Sequence, residues 1–174
     1  MFVISLFNKL FNNTKSIKAK CILSSVDNKS NGVVYFEHTK NGTHIYGTIT
    51  GLKDGNHGFH IHESGNMEEG CHTLGGHYNP LNKNHGGRTI IVNGKETINY
   101  NRHMGDLGNI YVNNNIGKFD FVDPLIYLYG TYSIIGRSVI VHENSDDLGL
   151  GNNMESLKTG NSGNRILCGN IFLL

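Results

Sequence analysis

Short segments in which apolar and polar residues alternate recur along the chain. In SIKAKCILS, for example, Ile17, Ala19, Cys21 and Leu23 fall on one side of an extended backbone. Because a period of two is that of a β-strand with one buried face, each such segment is predicted to be a strand. The other candidate strands are GVVYFEH, THIYGTIT, HGFHIHE, GNIYVNN, IGKFDFVD, the apolar run RSVIVHE, and RILCGNIFLL.

The connections between these segments are of two kinds. TKNG and the asparagines of 113–115 are short turn signals that predict hairpins. Ser64 to Arg102 and Asn144 to Asn164 are much longer and show little strand or helix pattern. About eight strands with two long loops favour an all-β domain, either a sandwich or a flattened barrel with Greek-key connections. Loops of this length in a folded domain are usually functional.

Length and charge limit the possible classes of protein. A chain of 174 residues suits one domain, which we expect to span residues 16–174 behind an N-terminal extension, residues 1–15. The extension has helical apolar spacing but lacks the basic start and cleavage site of a signal peptide. We therefore expect a cytoplasmic protein, with secretion or association with a virion as the alternatives. A formal net charge of +1 argues against bulk nucleic-acid binding, and no apolar run is long enough to span a membrane.

Histidines are concentrated in the middle of the chain. Of ten histidines, seven lie between His57 and His103. His60 and His62 share one face of a predicted strand, where they could bind one metal ion or simply face solvent. Five further candidate ligands lie at later positions: His77, His85, His103, Asp106 and His142. Imidazole and carboxylate ligands suit zinc or copper, and seven candidates exceed the four that one tetrahedral zinc uses, so two metal ions are predicted.

These residues lie in segments that together resemble the copper/zinc superoxide dismutase family. The segments are GFHIHE, GCHTLGGHYNP, HGG, RHMGDLGN, VDPLIYLYGTYSIIGRSVIVHE, DDLGLG and TGNSGNRILCG, in family order from about Ile17 to the C-terminus. The resemblance implies an eight-stranded Greek-key β-barrel with two functional loops, a zinc/disulfide loop and an electrostatic loop. It also implies an oxidoreductase that converts superoxide to oxygen and hydrogen peroxide, with one copper and one zinc per subunit.

The resemblance assigns a role to each matching position. The copper ligands are implied to be His60, His62, His77 and His142, and the zinc ligands His77, His85, His103 and Asp106. His77 would bridge the two metals, which requires a cation at each ring nitrogen, and would carry a proton during turnover. Arg165 would guide the anion, Thr159 would narrow the channel mouth, Asp146 would link His60 to His85, and Cys71 and Cys168 would form a disulfide.

Three features depart from the family pattern. The spacing from His85 to His103 is longer than usual, and its inserted text TIIV-NG-KETI predicts a small β-hairpin that could alter the zinc site. Ser64 and Asn170 are polar where the family dimer interface is usually aromatic or apolar. Both changes argue against the usual two-fold dimer, and a homodimer would need an atypical interface.

The sequence alone is compatible with two functions. The first is the enzyme, with superoxide as substrate and a copper chaperone as partner. The second is a copper-binding protein or chaperone decoy without useful turnover. Because every ligand position and the arginine are present, the enzyme is favoured.

Overall fold

The alternating segments form the strands of a β-structure. The computed structural model describes residues 17–174, so the predicted extension, residues 1–15, lies outside the described residues. The strands of this described part are β1 (Lys18–Ser24), β2 (Asn31–Thr39), β3 (Gly42–Thr50), β4 (Gly55–His62), β5 (Thr89–Val92), β6 (Lys95–Ile98), β7 (Asp106–Asn113), β8 (Ile116–Asp123), β9 (Ser138–His142) and β10 (Arg165–Leu173). No helix among residues 17–174 has both the length and the apolar character needed to cross a membrane.

Eight of these strands close into an antiparallel barrel. Their order around the barrel is β1, β10, β9, β4, β7, β8, β3, β2. The chain passes directly between neighbours within β1–β3, but β3 pairs with β8 rather than β4, and β4 lies between β7 and β9. These crossing connections are of the Greek-key type, so the predicted fold class is confirmed.

The apolar face of each strand lines the inside of the barrel. Ala19, Cys21 and Leu23 are fully buried in the main core cluster, as the alternation of β1 predicts. Burial raises the pKa of the Cys21 thiol to about 12. Phe59 and Ile61 of β4 belong to the same cluster. Because side chains alternate along a strand, the histidines between them point to the opposite side of the barrel wall.

The predicted hairpins form, with one difference in detail. Asn114 and Asn115, with φ angles of 51° and 62°, make the turn between β7 and β8, as expected for a two-residue turn with both residues left-handed. In the TKNG hairpin, Thr39 pairs with Gly42, so the turn residues are Lys40 and Asn41 rather than Asn41 and Gly42. Gly42 is needed for a different reason, because a Cβ there would collide with the Asp123 carbonyl group.

The two long loops leave the barrel from β4 and β9. Loop 1 (residues 63–105) contains a 3₁₀ turn, Gly70–Thr73, and the two-stranded sheet of β5 and β6, which confirms the hairpin predicted in the insertion. Loop 2 (residues 143–164) contains a single helical turn, α1 (Ser156–Thr159). A disulfide joins Cys71 in loop 1 to Cys168 in β10, as the resemblance implied.

Breaking this disulfide should lower the free energy of unfolding. The bond spans 97 residues, and removing a bond of this kind from a small domain typically costs about 2–5 kcal/mol. We expect a decrease of this size for Cys71→Ser in the metal-free protein, measured by urea denaturation. Reductant should destabilise the wild type and Cys21→Ala but leave Cys71→Ser unchanged. Equal stability of the oxidised and reduced wild type would contradict the prediction.

Candidate metal centre

Four imidazole rings meet at the outer side of β4 and β9. His60 and His62 extend from β4, His142 ends the adjacent strand β9, and His77 of loop 1 pairs with His62 through an isolated β-bridge. All four side chains are buried, and one ligand atom from each lies within 4.8 Å of the others. The structure thus brings together all the residues predicted to bind copper.

Three of these rings are held through the nitrogen that faces away from the cluster. His62 Nδ1 and His142 Nδ1 donate hydrogen bonds to the carbonyl oxygens of Gly75 and Gly163, at 2.9 and 3.1 Å. His60 Nε2 donates to Oδ2 of Asp146, at 2.8 Å. A hydrogen bond at one ring nitrogen fixes the tautomer and leaves the lone pair of the other available to a metal.

The nitrogens that face one another within the cluster have no hydrogen-bond partner. These buried atoms are Nδ1 of His60 and Nε2 of His62, His77 and His142. Burial lowers the pKa of His60 and His62 well below the ordinary value and that of His142 to about 4, so these rings are neutral at pH 7. Unpaired buried polar atoms are costly, and four neutral imidazole nitrogens are a donor set that suits copper. The residues therefore fit the metal.

A second group of ligand atoms surrounds Asp106, the first residue of β7. Its Oδ1 lies 2.8 Å from Nδ1 of His77, 3.0 Å from Nδ1 of His85 and 3.2 Å from Nδ1 of His103. A tetrahedral zinc with bonds of about 2.0–2.1 Å separates its ligand atoms by roughly 3.4 Å. The three nitrogens and one oxygen thus match the size and donor type of a zinc site.

The charge state of this second group is set by hydrogen bonds. Burial alone would raise the pKa of Asp106, but the hydrogen bonds from His103, His77 and His85 hold it well below its usual range. Burial also opposes protonation of His85, but hydrogen bonds with Asp106 and Asp146 outweigh it and raise the pKa of His85 to about 9. Without metal, His85 therefore carries a proton at neutral pH.

His77 belongs to both groups. Its Nδ1 faces Asp106, and its unpartnered Nε2 faces the other imidazoles. Asp146 of loop 2 connects the groups a second time, because its two oxygens bind Nε2 of His60 and Nε2 of His85, each at 2.8 Å. The structure thus places His77 between the two groups and Asp146 in contact with both His60 and His85, the positions in which the resemblance would assign them a bridging and a linking role.

Asn109 of β7, which is not among the predicted site residues, holds Asp146 in place. Its Oδ1 accepts a hydrogen bond from the Asp146 backbone N–H at 2.7 Å, and its Nδ2 donates to the Asp146 carbonyl at 2.9 Å. Asn109 is the last residue of RHMGDLGN, a segment that resembles the family, and this resemblance is the only sequence feature that points to it. The strand pattern could not show that its side chain reaches loop 2.

A cavity of about 500 Å³ opens above the first group. His62, His77 and His142 are among its lining residues, together with Thr159 and Arg165. Arg165 donates to the carbonyl oxygens of Cys71 at 2.8 Å and Gly75 at 2.6 Å. The arginine is therefore oriented by loop 1, which the disulfide attaches to the same strand, β10.

The inserted hairpin does not separate the ligand atoms of either group. Its base is closed by Asn99, whose N–H donates to the Arg88 carbonyl at 3.0 Å and whose Nδ2 donates to the Gly87 carbonyl at 2.9 Å. Gly86 donates to Oδ2 of Asp106 at 3.1 Å. Because the strands of the hairpin are exposed beyond this base, the insertion extends outward from the second group of ligands.

Several known proteins are similar to this chain in sequence and in fold. The profile of the copper/zinc superoxide dismutase family matches residues 30–171. The chain is 47% identical over 154 residues to superoxide dismutase [Cu-Zn] A of Xenopus laevis, covering 88% of this chain and 95% of that protein. It is 44% identical over 160 residues to an extracellular superoxide dismutase [Cu-Zn] of Brugia pahangi, covering 90% and 76% of the two chains. The crystal structure of the clock protein EA4 superposes with a TM-score of 0.82 at 40% identity, covering 92% and 97% of the chains. The chain belongs to the copper/zinc superoxide dismutase family.

Proposed function

We propose that this protein is a superoxide dismutase with one copper and one zinc ion per chain. His60, His62, His77 and His142 would hold copper, and His77, His85, His103 and Asp106 would hold zinc. The observation that carries the proposal is the convergence of four buried, unpartnered imidazole nitrogens beside a cavity lined by Arg165. When bound, copper would supply the one-electron chemistry, since cycling between Cu(II) and Cu(I) lets one superoxide leave as oxygen and a second, which takes up two protons from His77 and solvent, leave as hydrogen peroxide.

The residues around the cavity would select and orient a small anion. Arg165 remains charged at working pH and can offer two donors to a diatomic anion, while Lys158, which also lines the cavity, adds positive charge. Thr159, bound through its hydroxyl group to Glu155 at 2.8 Å, lines the same cavity and would limit its width. Arg165 and Lys158 together outweigh the single carboxylate that lines the cavity, Glu155, and an excess of positive charge at a narrow opening raises the rate of encounter with an anion.

His77 would serve both metals and the proton transfer. Its Nε2 faces the cavity and the copper ligands, so a proton held at this atom is close to the second superoxide. Its Nδ1 lies beside Asp106 and would be held there as a zinc ligand, so the ring would keep its orientation while Nε2 gains and loses the proton. The zinc ligands provide no open position, which suits a structural and electrostatic role for zinc.

The proposal also covers the association of subunits and the cellular location of the protein. Asn170 donates from Nδ2 to the Gly65 carbonyl at 2.8 Å, and Ser138 donates to the Ser64 carbonyl at 2.7 Å. Asn170 Nδ2 and the Ser138 hydroxyl group thus bind backbone carbonyls of the same chain, so a homodimer formed through this region would have an atypical, polar interface. A copper chaperone remains a proposed partner. A cytoplasmic location also remains a prediction, and the Brugia pahangi relative is named an extracellular enzyme.

Activity of the metal-loaded protein tests the proposed function. We expect the purified protein, reconstituted with copper and zinc, to contain one of each per chain and to dismutate superoxide above the rate of an equal concentration of free copper. Metal content is measured by mass spectrometry, and activity by pulse radiolysis. Full copper occupancy with no activity above that background would favour a copper-binding protein without useful turnover.

Replacing Arg165 should lower the rate without loss of metal. Because the guanidinium group attracts and orients the anion, we expect Arg165→Ala to reduce kcat/KM by about 10-fold or more at low ionic strength. Arg165→Lys should fall between the alanine variant and the wild type. Lys118→Ala removes the same charge from an exposed position on β8 and should have little effect. Unchanged kcat/KM in Arg165→Ala would exclude this residue from the mechanism.

Zinc binding should release a proton from His85. The pKa of His85 is raised to about 9 in the metal-free protein, whereas a ligand nitrogen must be unprotonated. At pH 7.5 we therefore expect release of about one proton per zinc, with release decreasing and affinity increasing as the pH rises through about 9. Calorimetry in buffers with different ionisation enthalpies measures this number. Asp146→Asn removes one negative partner of His85 and should reduce the release, whereas release independent of pH between 7 and 10 would contradict the assignment.

A further inference from the structure

Arg102 is a buried cation directly behind the proposed zinc ligands. The residue as a whole is 1% exposed, and its side chain is one of the largest fully buried side chains in the described part of the chain. One terminal nitrogen, Nη2, donates to Oδ2 of Asp123 at 2.6 Å, and both side chains are inaccessible to solvent. A buried ion pair adds little net stability relative to apolar packing. Stability alone therefore does not explain why Arg102 and Asp123 are buried at this place.

The other terminal nitrogen of Arg102 binds the backbone that carries two of the zinc ligands. Nη1 donates to the carbonyl oxygens of His103 at 3.0 Å and Asp106 at 2.8 Å, with a longer contact to that of Met104 at 3.4 Å. These carbonyls belong to a single turn, residues 103–106. The planar guanidinium group is thus enclosed by the turn on one side and by Asp123, the last residue of β8, on the other.

The same turn is also held from the side of the metal. Oδ2 of Asp106 accepts hydrogen bonds from the backbone N–H groups of His103 and Gly86, each at 3.1 Å. This leaves Oδ1 of Asp106 among the three histidine nitrogens. Arg102 and Asp106 therefore act on opposite sides of one short segment, and together they set the direction of two ligand side chains.

The copper ligands do not depend on such a contact to the same extent. His60 and His62 lie in β4, which is paired on both sides, and His142 lies in β9, which is also paired on both sides. The barrel fixes the backbone from which these three rings extend, and hydrogen bonds to the two loops complete their orientation. In contrast, His85 and His103 lie in loop 1, where no sheet pairing fixes their backbone. The positions of these two ligands therefore depend on side-chain contacts.

We propose that Arg102, paired with Asp123, is a positioning residue that holds the turn of residues 103–106 in the conformation that binds zinc. This inference rests on the proposed zinc site. Without the guanidinium group, the turn would have to be ordered by the metal itself, and zinc affinity would fall. Lysine cannot replace it, because an ammonium group lacks the planar fork that reaches Asp123 and several carbonyls at once.

Zinc affinity of the metal-stripped, disulfide-bonded protein tests the proposal. We expect Arg102→Lys to weaken zinc binding by about 10–100-fold, the usual range for partners that orient metal ligands, in competition with a chromogenic chelator. The visible spectrum of the cobalt(II)-substituted site should change as well. Copper(I) affinity, measured with a copper(I) chelator, should stay the same.

Arg88→Lys is the matched control. Arg88 lies in the same loop and contributes to the charge around Arg102 and Asp123, but its guanidinium group packs over the Phe121 ring at 4.3 Å. Arg88→Lys keeps that charge and changes only the shape of the cationic group. This variant should bind zinc like the wild type. If Arg102→Lys does not fold, Asp123→Asn decides, because it keeps the shape but removes the charge that orients Arg102, and it should also weaken zinc binding selectively.

Three results would contradict either the role proposed for Arg102 or the proposed zinc site itself. Wild-type zinc affinity in a folded Arg102→Lys or Asp123→Asn variant would overturn the inference and leave the proposed zinc site intact. Equal losses of zinc and copper affinity would overturn it too, since they would indicate a general effect on folding. Failure of the wild type itself to bind zinc would instead overturn the zinc site on which the inference rests.

Discussion

The constraint on which the metal centre depends is the burial of imidazole nitrogens that have no hydrogen-bond partner within the chain. Such atoms are costly in a protein interior, and here four of them face one another. Each ring of β4 and β9 in this group is anchored through its second nitrogen. Burial lowers their pKa values, which keeps their lone pairs free of protons. The arrangement is unfavourable for the protein alone and favourable once a metal occupies it.

The two halves of the centre are built by different means. The barrel places His60, His62 and His142, because adjacent strands bring alternate residues to one face. Loop 1 supplies His77, His85 and His103, and these need contacts from Asp106, Asp146 and the disulfide. The same loop orients Arg165 through two backbone carbonyls. A change in loop 1 therefore affects zinc binding and the anion channel, and it reaches the copper ligands only through His77 and the Gly75 carbonyl that anchors His62.

The features that depart from the family pattern lie outside this framework. The inserted hairpin is closed at its base by Asn99 and extends into solvent. Asn170 and the Ser64 carbonyl belong to hydrogen bonds within the chain. None of these residues is among the proposed metal ligands, so the departures from the family pattern leave the ligand set complete.

Much of this protein follows from the sequence alone. The period-two pattern determined the strands, since alternation reflects which face of each strand is buried, and the ligand types and their spacing indicated two metals. Residue type does not show which distant side chains meet, however. That β4 lies beside β9, that Asn109 reaches Asp146, and that Arg102 is enclosed by the turn of residues 103–106 were decided by the closed barrel and its loops. These contacts join residues that are far apart in the chain or that carry no periodic signal, so only tertiary packing could reveal them.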